Sequence, residues 1–88
     1  MKFYYVYVLR NFSKEYIYIG YSENIKIRLI EHNSGKVRST KPYAPFELIH
    51  YEAYGNMKDA KRREMYLKTS KGKTTLRTML KEYFDKNT

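Results

Sequence analysis

Five side chains in this sequence are of types that do chemistry together: Tyr7 and Tyr18 on two strand-like runs, Arg28 and His32 four residues apart, and Glu64 much later. Residues four apart on a helix share a face, so Arg28 and His32 stack beside Ile25 and Leu29. A guanidinium pairs bidentately with phosphate oxygens and offsets charge that builds in a transition state. An imidazole binds phosphate or moves a proton. Glu64 falls on a helical face with Met57, Ala60 and Leu67, where a carboxylate is costly unless it is paired or holds a cation. Pairing with Arg28 meets that demand, and so does a hard cation. Mg²⁺ keeps most of its waters and needs few protein ligands, and Mn²⁺ accepts the same oxygens. Phenols, guanidinium, imidazole and carboxylate together suffice for metal-assisted hydrolysis of a phosphodiester. Taken singly, Arg28 reads equally well as a solvated arginine, and His32 more readily so.

Other chemistries find little footing. The chain has no cysteine, and His32 and His50 lack a ligand-like spacing, which argues against zinc. No Ser-His-Asp order, paired carboxylates or glycine-rich phosphate loop stands out. Gly72 between Lys71 and Lys73 lacks the second glycine of a P-loop.

Residues 3–10 alternate in strand fashion, with Phe3, Tyr5, Tyr7 and Leu9 on one face and Tyr4, Val6, Val8 and Arg10 on the other. Residues 11–15 are turn-like, and residues 16–21 form a second strand, giving an antiparallel hairpin. Ser22 or Asn24 caps a helix that runs to about Asn33, with Gly35 as its stop. Residues 35–45 are a basic loop that suits a phosphate backbone and reads at least as well as a plain surface connection. A third strand over 46–54 precedes a helix capped by Asn56, with Asp59 placed as in a capping box. That helix is predicted to run to about Ser70 and end at Gly72. A last helix over 74–85 places Leu76, Met79, Leu80, Tyr83 and Phe84 on one face, a core pattern. The order is β-β-α-β-α-α, a small α+β sandwich with a central three-stranded antiparallel sheet flanked by helices. It is read as a single domain over residues 1–88.

The formal net charge of +9 favours a polyanionic partner, above all nucleic acid, over a mere solubility device. The 11 tyrosines suit half-wet grooves and base stacking, although many would simply fill strands. No apolar run reaches the roughly 20 residues of a membrane span, and the N-terminus lacks a signal-peptide pattern. With no cysteine, a cytoplasmic location is expected.

Taken in order, Tyr5-Val6-Tyr7, Tyr18-Ile19-Gly20, Arg28, His32-Asn33 and Arg63-Glu64 resemble the motifs of the GIY-YIG nuclease superfamily. The resemblance runs from Phe3 to about Leu80 and is strongest to small standalone bacterial members. It implies a metal-dependent DNA endonuclease, structure-selective in repair or recombination, with Mg²⁺ or Mn²⁺ as cofactor. Tyr7 would help to deprotonate the attacking water, and Tyr18 would orient water or phosphate. Arg28 would stabilise the pentavalent phosphate, His32 would assist proton transfer, and Glu64 would hold the metal. Arg28, Lys36, Arg38 and Lys41 would contact nucleic acid, with DNA the expected partner, RNA a second, and a protein partner or homodimer open. Two positions depart from the motif: Tyr5 stands for the first glycine, and Tyr21 replaces a lysine found in some members. If that lysine assists the base, His32 or Lys26 must substitute for it. A phenol near its usual pKa of about 10 is a poor base at neutral pH, so Arg28 or the metal must lower it. The alternative readings are a non-catalytic nucleic-acid-binding module on the same fold and a protein-interaction adaptor with a tyrosine surface.

Overall fold

The alternating aromatic and β-branched residues near the N-terminus form β1 (Tyr4–Asn11) and β2 (Tyr16–Ser22), joined as an antiparallel hairpin. A computed structural model describes residues 1–86. After the hairpin come α1 (Ile25–Asn33), a 3-10 turn (Lys41–Tyr43), β3 (Glu47–Tyr54), α2 (Met57–Leu67), α3 (Ser70–Met79) and α4 (Lys81–Lys86). β3 pairs antiparallel with the other edge of β1, so the order across the sheet is β2-β1-β3. The expected α+β sandwich is therefore present.

The sheet is covered on both faces. On one, Val6, Val8 and Ile19 pack against Ala60 and Leu67 of α2 and Leu76 of α3. On the other, Tyr7, Leu9 and Phe46 pack against Ile25 and Leu29 of α1 and against Tyr43. Each fully buried aliphatic side chain contributes about 1.5–3 kcal/mol, so the two layers hold β1 from both sides. The hairpin face carrying Tyr7 and Tyr18 thus meets α1 and the 3-10 turn, and α1 is the helix that covers it. α2 lies on the opposite face, and the helix carrying Glu64 is separated from the helix carrying Arg28 by the sheet.

Capping settles the helix starts. Asn24 accepts from the Ile27 N–H and caps α1, while the Ser22 hydroxyl steadies Asn24. Asn56 accepts from the Lys58 N–H, but the Asp59 carboxylate pairs with Arg62 instead of closing a capping box.

The C-terminal boundaries differ from expectation. α2 stops at Leu67, and Thr69 caps α3 through the Gly72 N–H. Gly72 is not a helix stop. It is buried inside α3, where a Cβ would overlap the Tyr66 carbonyl oxygen, so glycine lets α3 turn tightly onto α2. The last predicted helix is split at Leu80 into α3 and α4, which changes its face. Leu76 and Phe84 are buried as expected, but Met79 is 44% exposed, with its sulfur against Arg63.

β3 is tied to α2 by a polar cluster. Arg63 donates to both oxygens of Glu52, which also accepts from Tyr54 and contacts His50. Burial pushes the Glu52 carboxyl up, yet the bonds from Arg63, His50 and Tyr54 outweigh it and hold it at about 2. A carboxyl lowered on folding stabilises above its unfolded pKa, and that stability is lost as pH falls through the folded value. At neutral pH Glu52→Gln should cost about 2 kcal/mol once solvent screening is allowed for. The stability gap between wild type and variant should close between pH 4.5 and 2, as read by thermal unfolding across that range.

Candidate active site

Tyr7 lies at the centre of β1, opposite Gly20 on β2 and Tyr51 on β3. Its ring crosses directly over Gly20, where any Cβ would overlap the phenol. The glycine of Tyr18-Ile19-Gly20 is therefore a steric requirement for the pose of Tyr7. The Tyr7 hydroxyl meets His32 Nε2 at 2.9 Å, and His32 Nδ1 meets Thr40 Oγ1 at 2.7 Å. Tyr7, His32 and Thr40 are all fully buried. Thr40 in turn donates to the Val37 carbonyl at 3.4 Å.

This chain has a direction. The Val37 carbonyl only accepts, so the Thr40 hydroxyl donates there and its oxygen accepts from His32 Nδ1–H. His32 Nε2 is then left as the acceptor of the Tyr7 proton. Burial, with Arg28 nearby, pushes the His32 pKa below its ordinary 6.5, so the ring is neutral at physiological pH and free to accept.

Tyr18 and Arg28 complete the surroundings of the phenol. The Tyr18 ring centroid lies 4.9 Å from that of His32 and 6.1 Å from that of Tyr7. Arg28 is held by Glu31 at 3.1 Å and not by Glu64. Burial pushes the Tyr7 phenol up to about 12, while the Arg28 guanidinium beside it pulls down and the Tyr18 and Glu64 charges push up. The pull expected of Arg28 is present, but desolvation exceeds it, so Tyr7 is un-ionised at neutral pH.

Glu64 approaches from the α2 layer, close enough for its charge to act on Tyr7. Its side chain is 18% exposed and pairs with Lys68, one turn on, at 2.9 Å. The Glu64–Arg28 pair, one of the two readings of this carboxylate, is not formed: Arg28 pairs with Glu31 and Glu64 with Lys68. Among the described residues there is no cluster of three or more His, Cys, Asp or Glu that would by itself cage a metal. A single carboxylate nevertheless fits Mg²⁺ or Mn²⁺, which take much of their coordination from water and substrate oxygens.

Lys36, Arg38 and Lys41 lie exposed on the segment after α1, so they do not join the buried cluster. That segment is anchored. Asn33 exchanges two hydrogen bonds with the Phe46 backbone, and Asn11 Nδ2 donates to the Tyr43 and Pro45 carbonyls. These clamps fold the basic loop back until Thr40 reaches His32. Thr40 and Asn11 had no signal in the sequence beyond their polar type. Lys26 is exposed at the start of α1. His32, not Lys26, is the residue that meets the Tyr7 hydroxyl.

The family model described as the GIY-YIG catalytic domain matches residues 3–79, and the chain belongs to that family. The domain is a nuclease fold. A UPF0213 protein of Staphylococcus haemolyticus is 35% identical over 66 residues, covering 74% of this chain and 79% of that one. A UPF0213 protein of Staphylococcus epidermidis is 39% identical over 54 residues, 60% of this chain and 66% of its own length. The chain thus spans just under two thirds of that relative's length. The solution structure of a UPF0213 protein from Bacillus halodurans is similar with a TM-score of 0.55 and 29% identity, over 88% of this chain and 84% of that one. Among the described residues no helix is long and apolar enough to cross a membrane.

Proposed function

We propose that the chain is a divalent-metal-dependent endonuclease that hydrolyses DNA phosphodiester bonds, with branched, flapped or damaged DNA as its targets in repair or recombination. The directed chain from Tyr7 through His32 to Thr40, with Arg28 at its head, carries this reading. As a water oxygen bonds to phosphorus, its proton passes to the Tyr7 oxygen and the Tyr7 proton passes to His32 Nε2. The P–O bond to the leaving oxygen breaks in the same displacement. The concerted transfer removes the need for a standing phenolate, which a group at about 12 does not supply at neutral pH. Arg28 offsets charge on the phosphoryl oxygens, and Tyr18 walls the position of water or phosphate. A divalent cation held by Glu64 would supply Lewis acidity toward the departing oxygen. Lys36, Arg38 and Lys41 hold the flanking backbone.

Thr40 acts through His32 by fixing its tautomer. Thr40→Val keeps the shape and removes the oxygen, so kcat should fall about 10–100-fold with KM little changed. Thr40→Ser should restore the rate, as followed by steady-state kinetics on a labelled strand.

The function is tested with labelled plain duplex, single-stranded, flap and four-way DNA, in Mg²⁺ or Mn²⁺ and in chelator. Metal-dependent cleavage of at least one form is the expected result. Binding that weakens as salt rises, with no cleavage of any form, would replace this reading with the non-catalytic binding module.

A further inference from the structure

Beside the site lies a row of aromatic rings that the proposed mechanism does not use. Phe3 and Tyr5 have centroids 6.5 Å apart, and Tyr5 meets Tyr51 edge-on at 6.0 Å. Tyr51 is 55% exposed and Phe3 is 40% exposed. Tyr51 is the register partner of Tyr7 on β3, so the two share a face and sit one strand spacing apart, about 5 Å. A cleft of about 430 Å³ runs between this row and the first turn of α1, with Tyr5, Tyr51, Leu48, Ile25 and Lys26 among its lining residues. Ile25 and Leu48 also pack against the buried cluster of Tyr7, Leu9 and Phe46, so the cleft borders the layer that holds the site.

We propose that this cleft receives one unpaired nucleobase adjacent to the scissile phosphate and stacks it on Tyr51. The proposal rests on the nuclease reading for the position of that phosphate. An exposed phenol ring offers a flat apolar face to a base of any sequence. Lys26 at the rim supplies the positive charge that a neighbouring phosphate needs. Glu23, the acidic member of the lining, is neutralised by Lys2. The cleft has a volume suited to a small ligand and is bounded by α1 on one side and the sheet on the other. Inside a duplex each base is paired and covered by its neighbours on both faces, so entry here requires a base already free of the stack. The substrate class that follows is a single strand or a flap, cut beside an unpaired nucleotide.

The test uses the full chain carrying Glu64→Ala, so that binding is read without cleavage. The probe is a single-stranded oligonucleotide with 2-aminopurine at each position in turn, beside a plain duplex of the same sequence. Stacking on Tyr51 should quench the fluorophore at one position. Adding Tyr51→Ala should abolish the quench and weaken single-strand binding about tenfold or more while leaving duplex binding unchanged. Tyr51→Trp should keep both the quench and the affinity. Equal loss on duplex and single strand, or no loss on either, overturns the platform even if the wild type cleaves DNA. A Tyr51-dependent quench in a chain whose wild type cuts nothing supports the platform and defeats the nuclease reading alone.

Discussion

Tyr7→Phe should lower the DNA cleavage rate by about 10²–10⁴-fold while the fold survives. The substitution removes one oxygen, and that oxygen is the only link between the attacking water and His32 in the proposed relay. Packing barely changes, because the ring still lies across Gly20 and against Leu9 and Phe46. The buried Nε2 of His32 loses its partner, a cost of about 1–3 kcal/mol that should show as a modest fall in melting temperature. Substrate binding should stay within a few-fold of wild type, since Arg28 and the basic loop are untouched. Rate and melting temperature measured on one preparation separate the two effects. A variant that cleaves at the wild-type rate would remove Tyr7 from the mechanism. The wild-type pH profile gives a second check. His32 must be neutral to accept the proton, and its pKa lies below 6.5, so the rate should hold at neutral pH and fall only on the acid side of that value.

What the sequence made legible follows from the range of the forces involved. The hairpin, β3 and the starts of α1 and α2 depend on period-two alternation and on local caps, both written within a few residues. The order of the constellation along the chain is distinctive although no single member is, and the structure brings Tyr7, Tyr18, Arg28 and His32 together. What failed depends on contacts between distant residues. Gly72 looks like a stop because glycine usually is one, and only the closeness of the Tyr66 carbonyl reveals it as a packing requirement. Met79 matched a helical stripe, but the break at Leu80 left it at the surface. Arg10 falls on an alternating strand face, yet it is buried among Phe12, Tyr83 and Phe84 and paired with Glu15. Thr40 sits in a loop whose basic residues suggested surface contact. Its burial rests on Asn33 and Asn11 binding backbone 13 and 32 or more residues away, which no local pattern encodes. The phenol's pKa shows the same limit: sequence gave the sign of the Arg28 effect, and only the packed structure showed desolvation to be larger.

Glu64→Ala should abolish cleavage, by about 10³-fold or more, while DNA affinity changes little. The proposed role is to hold the cation, and several kcal/mol of transition-state stabilisation depend on that ion. In the resting chain Glu64 is occupied by Lys68, so the cation must displace an ammonium group. That displacement is cheap. An i,i+4 pair with a half-exposed lysine contributes about 0.3–0.5 kcal/mol, far less than a carboxylate gains from a divalent ion and a bound phosphate. Lys68→Met should therefore lower the Mn²⁺ concentration needed for half-maximal cleavage, by about twofold on that energy, without raising the limiting rate. Glu64→Ala should instead lose the saturable Mn²⁺ dependence altogether. The two variants move metal dependence in opposite directions through one pair of side chains. A purely structural ion pair predicts otherwise: breaking it from either end would lower stability alike and leave the metal titration where it was.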